Sequence, residues 1–261
     1  MQKPLILLSN DDGIFAPGLY ALYEQMVKLG EVKVVAPDSE QSAVGHAITL
    51  RNPLRAFTWM RFGEPFGTAV IGTPADCIKL ALAEFVDRKP DLVVSGINQG
   101  ANTGVDILYS GTVSAATEGA VNRIPSIAIS LTSFTFKNFQ PSADFILKLA
   151  QKVLENGLPV GTFLNVNVPP LEEDKIKGYI WTRQGLSRYV ERFEKRYDPK
   201  GRPYYWMDGD KKYDENSGCT DDKAIADGFI SISPVHYDLT DHNFIEKAKD
   251  WNLNLVSNIH A

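Results

Sequence analysis

The first apolar run of the chain, Pro4 to Leu8, has no polar alternation and stops at Ser9-Asn10-Asp11-Asp12-Gly13. A short aliphatic run without a polar face suits a strand buried on both sides, as in a parallel sheet covered by helices. The pattern then repeats. Helical spacing over Pro17–Leu29 puts Leu19, Leu22, Tyr23, Met26 and Leu29 on one face, and Gly30 stops it. Further strands are predicted at Val32–Ala36, Ala69–Ile71, Leu92–Ser95, Ser126–Leu131 and Phe163–Val168. Thr73-Pro74-Ala75-Asp76 opens a helix that runs through Leu80, Leu82 and Phe85. Thr73 suits the N-cap, Pro74 the first helical position and Asp76 the positive end of the dipole. Val113–Ala120 and Ala143–Leu154 read as helices too. Such alternation implies an α/β fold, a mostly parallel sheet flanked by helices on both faces.

The pattern changes at Pro169-Pro170. Beyond it, to about Gly228, aromatic and charged residues predominate, among them Tyr189, Phe193, Tyr197, Tyr205 and Trp206. Tyr179–Arg183, Tyr189–Phe193 and Pro203–Met207 are predicted as hairpin strands, separated by turn signals such as Asp198-Pro199 and Gly201. Asp208–Asp222 reads as loop, Ile230–Ser233 as one more strand and Asp241–Leu253 as a closing helix. An aromatic hairpin arm without a core of its own would pack on a second subunit, or else on its own sheet. The expected division is an α/β catalytic domain over 1–170. Residues 171–261 then hold the arm, the last strand and the C-terminal helix.

Composition narrows the classes. The chain of 261 residues is 44% hydrophobic, enough for a sizeable core. No apolar stretch approaches the ~20 residues of a membrane span, and the start lacks signal-peptide anatomy, because the first apolar run is short and ends in Asp-Asp. Cys77 and Cys219 read as two reduced thiols of a cytoplasmic protein. A net charge of −5 without basic clusters argues against gripping long nucleic acid.

The strand ends carry the chemistry. In an open parallel sheet the carboxyl ends of the strands form the ligand crevice. Paired carboxylates at such an end, Asp11 and Asp12, point to a hard divalent cation between them. Successive strand side chains diverge, so both reach one ion only if the chain turns there, which Gly13 allows. The alternative is Asp12 capping the next helix with Asp11 solvated. Pro37-Asp38-Ser39-Glu40-Gln41-Ser42 follows the second strand at the same edge, where Ser42 could complete an oxygen shell or simply serve a turn. The long loop from Ser95 to Thr112 holds four glycines with Asn98 and Asn102. It is neither a dinucleotide fingerprint nor a P-loop. Asn98 offers a neutral oxygen to a metal. Ser110-Gly111-Thr112 precedes a helix, where unpaired N–H groups and two hydroxyls cradle an anion or merely cap. A ligand set of oxygens favours magnesium, manganese or calcium over zinc.

Taken together, these segments resemble the SurE family. The resemblance is carried by Ser9–Gly13, by Pro37–Thr49 (PDSEQSAVGHAIT), by Gly72–Cys77 (GTPADC) and by the Ser95–Thr112 loop with Val113-Ser114-Ala115-Ala116, in the family's order. It is strongest over about the first 135 residues. Tyr204–Met207 and Gly228–Pro234 look like the family's C-terminal half. The resemblance implies a Rossmann-like α/β fold whose C-terminal β-hairpin arm, within 171–261, serves dimerisation by segment exchange, in a homodimer or homotetramer. It implies a metal-dependent 5′-nucleotidase acting on nucleoside monophosphates, 3′-nucleotides included, and in some members on polyphosphate. One divalent cation per subunit would be held by Asp11, Asp12, Ser42 and Asn98. Asn102, Ser110, Gly111 and Thr112 would line the phosphate end.

On this reading metal-bound water attacks a phosphate monoester, and one aspartate, Asp11 by preference, accepts its proton; the two roles are interchangeable at this stage. Two other readings compete. An aspartyl-phosphate enzyme of the haloacid dehalogenase type also has an aspartate after its first strand, but usually with a second acid two residues on, where this chain has Gly13. A non-catalytic nucleotide-binding module would use the same anion cradle. His46 is a candidate acid, Trp206 a candidate base-stacking or interface residue, and Asp38 and Asp106 are expected to be structural or supporting.

Overall fold

The computed structural model describes residues 3–213 and 218–251. In chain order it contains β1 (Leu5–Ser9), α1 (Pro17–Met26), β2 (Glu31–Pro37), β3 (Arg55–Arg61), β4 (Glu64–Ile71), α2 (Pro74–Leu80), β5 (Leu92–Gln99) and α3 (Gly111–Val121). There follow β6 (Ser126–Leu131), α4 (Gln140–Asn156), β7 (Thr162–Val168), β8 (Tyr179–Trp181), β9 (Arg188–Tyr197), β10 (Pro203–Lys212), α5 (Asp221–Ala226), β11 (Ile230–His236) and α6 (His242–Ala248). Nine strands form one sheet in the order β3-β4-β2-β1-β5-β6-β7-β11-β8. β4 through β7 run parallel in this order; β3 pairs antiparallel with β4 and β11 antiparallel with β7.

The buried runs become the central strands because both their faces are covered. Ile6 and Leu8 of β1 point to one side, against Leu19, Leu22 and Met26 of α1 and the apolar stripe of α4. Leu7 points to the other, with Val35, Val93 and, from α2 and α3, Ile78 and Ala115. Thr73 caps α2 as the sequence predicts. Its hydroxyl accepts from Asp76 N at 3.1 Å and Asp76 Oδ2 accepts from Thr73 N at 2.9 Å, a reciprocal capping box.

Several boundaries differ from the sequence expectations. The short strand at Ala69–Ile71 is the end of a longer β4, and its antiparallel partner β3 was not foreseen. β3 is largely exposed and mixes Arg with apolar residues, so it lacks the buried run that marks its neighbours. The loop read from Ser95 begins later, because β5 continues to Gln99 past an irregularity after Ser95. Within the remainder, Gly104–Leu108 forms a short 3₁₀ turn. Tyr179–Trp181 is no hairpin strand; it joins the main sheet parallel to β11. Asp208–Lys212 belongs to β10 and Asp221 opens α5, so the acidic stretch is loop only between them; residues 214–217 lie outside the described residues. The closing helix is α6 with a 3₁₀ turn to Trp251, and Leu253 lies outside the described residues. β9 and β10 form a separate two-stranded ribbon.

Candidate active site

β1, β2 and β5 end at one edge of the sheet, and the segments leaving them meet there. Gly13, at φ +98°, turns the chain directly after the acidic pair. Asp11 is buried and faces the start of α3. Its Oδ2 accepts from Thr112 N at 2.9 Å and its Oδ1 accepts from Thr112 Oγ1. Gly111 makes this approach possible: a Cβ there would lie 2.7 Å from the Asp11 Cβ. Asp12 turns toward β5, its Oδ2 accepting from Gln99 N at 3.1 Å. The acidic pair therefore joins the end of β5 to the N-terminus of α3, and the reading of Asp11 as solvated is overturned.

The electrostatics match the geometry. Burial pushes the Asp11 carboxyl up, against the lowering effect of the Thr112 hydrogen bonds. Burial, and then the charge of Asp11, push Asp12 up to about 7. Two adjacent acids in this state are anionic together only with positive charge beside them. Among the described residues no three His, Cys, Asp and Glu side chains form a metal cage. A cation here has to draw on Asn, Ser or backbone oxygens and water besides the aspartates, which suits a hard ion.

Asn98 lies on the neighbouring strand end. It is buried on β5, and its Nδ2 donates to Gly100 O at 2.9 Å, which turns the carbonyl oxygen the other way. Asn10 Oδ1 and the paired Ser9 and Ser95 hydroxyls are buried behind the site without a protein partner, so the interior here is rich in oxygen. Ser42 is placed differently. It is exposed, and its hydroxyl donates to Glu40 Oε1 at 2.6 Å. Its link to the site is the backbone of its neighbour, with Gln41 N donating to Asp11 O at 2.7 Å.

The residues expected at the phosphate end gather at the start of α3 and on the loop before it. Ser110 is its N-cap, accepting from Val113 N at 3.1 Å, and Thr112 is fully buried. Asn102 is clamped from β7: Asn165 and Asn167 donate to its carbonyl at 2.8 and 2.9 Å, and its own Nδ2 donates to Ser130 Oγ at 2.8 Å. Its side chain is thereby turned into the sheet. The segment from Asp38 to Thr49 crosses the site and is pinned along its length. Gly45 N donates to Tyr109 O at 2.9 Å, Thr73 Oγ1 to Ala47 O at 2.7 Å, and Thr49 N to Asp76 Oδ1 at 3.0 Å. His46 Nε2 lies 2.9 Å from Glu118 Oε2 on α3, so it acts as a latch for this segment.

Sequence reasoning missed Gln99, Asn165, Asn167 and Glu118. Each acts across 60 or more residues of chain, as the separations of 87, 63, 65 and 72 in these contacts record. It also missed Phe134, an exposed ring on the rim that lies against the backbone of Gly100.

Comparison with known proteins agrees with this layout. The chain matches the profile of the family described as "Survival protein SurE" over residues 6–191. It belongs to the SurE family. A protein named 5′-nucleotidase SurE from Syntrophobacter fumaroxidans is 49% identical over 248 residues, covering 95% of this chain and 99% of the relative. One of the same name from Christiangramia forsetii is 46% identical, covering 97% and 98%. The crystal structure of the SurE protein from Aquifex aeolicus superposes with a TM-score of 0.82 at 43% identity, covering 94% of this chain and 98% of that one. The match spans the SurE segments from β1 to the hairpin arm, so the site lies inside the shared fold.

Proposed function

We propose that this SurE chain is a metal-dependent phosphatase that hydrolyses nucleoside 5′-monophosphates. The observation that carries the reading is the seat of Asp11 on Thr112, which puts an acidic pair against the N-terminus of α3. A phosphoryl group held at the N-terminus of α3 by the Ser110 hydroxyl and the Gly111 N–H, beside Thr112, would otherwise face bare carboxylates. A divalent cation resolves that conflict, and Asp11, Asp12 and Asn98 would hold it, with Ser42 joining if it leaves Glu40. Bound there, the cation supplies Lewis-acid polarisation of the phosphoryl oxygen and a more acidic water. The chain's own residues do the rest. The Ser110 hydroxyl and the Gly111 N–H orient the phosphoryl oxygens and stabilise the charge that develops on them. Asp11 has both oxygens engaged by Thr112, so we assign the water's proton to Asp12 Oδ1.

The same engagement of Asp11 argues against an aspartyl-phosphate mechanism, since neither of its oxygens is turned loose for attack on phosphorus. A non-catalytic module would have little use for an acidic pair that repels its ligand. These residues do not read which ribose carbon bears the phosphate. We therefore include 3′-nucleotides, and short polyphosphate, in the proposed range. The relatives' name, 5′-nucleotidase, supports the nucleotide as substrate. No helix among the described residues is long and apolar enough to cross a membrane. Cys77 is buried, Cys219 is exposed and both are free, which supports a reducing, cytoplasmic setting.

The test is phosphate release from a panel of nucleoside 5′- and 3′-monophosphates with magnesium, manganese or calcium, and with chelator. The expected result is cation-dependent turnover that chelator abolishes and that Asp11→Asn lowers by about a hundredfold or more. Full activity in chelator, or in Asp11→Asn, overturns the reading.

A further inference from the structure

We propose that Lys211, on strand β10 of the hairpin, is a positioning residue for the phosphate-binding turn, which makes the root of the hairpin a working part of the site. The inference rests on the phosphatase reading above. β9 and β10 hydrogen-bond to each other and lie apart from the main sheet, yet their root is held firmly. Lys211 Nζ reaches Thr103 Oγ1 at 2.7 Å, Asp106 Oδ2 at 3.1 Å and Asp222 Oδ1 at 3.1 Å. Its side chain is only 13% exposed, in a hairpin whose other strand is exposed throughout. Burial disfavours the ammonium, but Asp222 and Asp106 outweigh burial and hold its pKa above the ordinary range.

The groups around Lys211 bind the same short segment. Thr103 Oγ1 donates to Asp222 Oδ1 at 2.6 Å, and Gly104 N donates to Asp221 Oδ2 at 2.9 Å. From the foot of β9, Val105 N donates to Ser187 O at 2.9 Å and Gln184 Nε2 donates to Gly104 O at 2.8 Å. Gly104 is needed for this approach, since a Cβ there would lie 2.1 Å from Ser187 Oγ. Thr103–Asp106 leads directly into the site. Tyr109 N donates to Asp106 O at 3.0 Å, and Ser110 comes next. The turn from Thr103 to Thr112 therefore has two anchors: Asp11 holds its end through Thr112, and Lys211 holds its beginning through Thr103 and Asp106.

Charge explains why a lysine is required. Asp106 and Asp222 each lie 3.1 Å from one nitrogen, so their oxygens are separated by roughly 6 Å at most. Without the ammonium the two carboxylates repel across a half-buried gap. Asp106 sits on the 3₁₀ turn that leads to Ser110, whereas Asp222 sits in the first turn of α5, away from the site. Displacement of Asp106 carries Tyr109 and Ser110 with it. A misplacement of about 1 Å at reacting groups costs up to about a hundredfold in rate.

The experiment compares wild type, Lys211→Met, Lys211→Arg and the double variant Lys211→Met/Asp222→Asn. The double variant removes the tether while keeping the charge balance, so it guards against simple unfolding. Each is assayed for thermal midpoint, for kcat and KM on a nucleoside 5′-monophosphate, and for inhibition by inorganic phosphate. The expected result is a double variant with a near-wild-type midpoint, kcat lowered about tenfold or more and weaker inhibition by phosphate. Lys211→Arg should regain most of both. Wild-type kcat and phosphate inhibition in the double variant overturn the proposal, as does a loss of activity that only tracks the folded fraction. A wild type that binds phosphate without turning over any nucleotide overturns the phosphatase reading alone, because phosphate affinity across the variants still tests Lys211.

Discussion

Glu118 shows how one buried carboxylate joins three segments. Its side chain is 4% exposed and accepts from His46 at 2.9 Å, from Lys79 at 2.6 Å and from Asn122 at 3.1 Å. Burial alone would raise its pKa, but the bonds from His46 and Lys79 outweigh it and hold the carboxyl below its ordinary 4.5. The folded state therefore binds this proton more weakly than the unfolded chain. Its contribution to stability is complete above the unfolded value and is lost as pH falls through the lower, folded one. Glu118→Gln is expected to cost about 2 kcal/mol at neutral pH, the scale of hydrogen bonds to a charged group. The difference should shrink well below pH 4.5, once the wild-type carboxylate is protonated. Urea unfolding of both proteins at the two pH values checks this, and a pH-independent difference refutes it.

The elements that position the site differ in how far the sequence discloses them. β1, β2, β6 and β7 were legible because each is a buried apolar run, and α2 because its capping residues act locally. The acidic pair and the hydroxyl-bearing start of α3 were legible as candidate site residues. Their union through Thr112 spans 101 residues and could not be read locally. β3 escaped, and β8 was read as a strand but given the wrong partner, because edge strands lack a fully buried face and mixed composition says little about pairing. The seat of α3 on β1 gives the prediction at this scale. A methyl group at Gly111 would stand 2.7 Å from the Asp11 Cβ and 3.0 Å from both Asp11 Oδ2 and Pro74 Cγ. Gly111→Ala is thus expected to push the helix start off Asp11 and lower kcat by about tenfold or more. Helix propensity, which favours alanine by about 1 kcal/mol, offsets part of the stability loss. A normal kcat in this variant would show that the cradle tolerates displacement.

For the whole molecule, the open question of physics is what covers the hairpin. In the β9–β10 register, Phe193 faces Met207, Lys195 faces Tyr205 and Tyr197 faces Pro203, so these side chains share one side of the ribbon. Phe193 and Met207 are 66% and 67% exposed, and Tyr197 and Tyr205 are nearly as open. A two-stranded ribbon is marginal in water on its own, and an apolar patch of this kind marks an interaction face. The main sheet does not cover it. We propose that a second copy of the chain does, through a two-fold contact in which the same patch serves both partners. Charge on that face should then break the assembly without touching the site. Phe193→Glu/Met207→Glu is expected to sediment as a monomer where the wild type sediments as a dimer or larger. Lys211, at the ribbon's root, keeps its partners in that variant, so turnover should fall less than in Lys211→Met/Asp222→Asn. A wild-type protein that sediments as a monomer at micromolar concentration would leave the ribbon's apolar face without this explanation, whatever the activity.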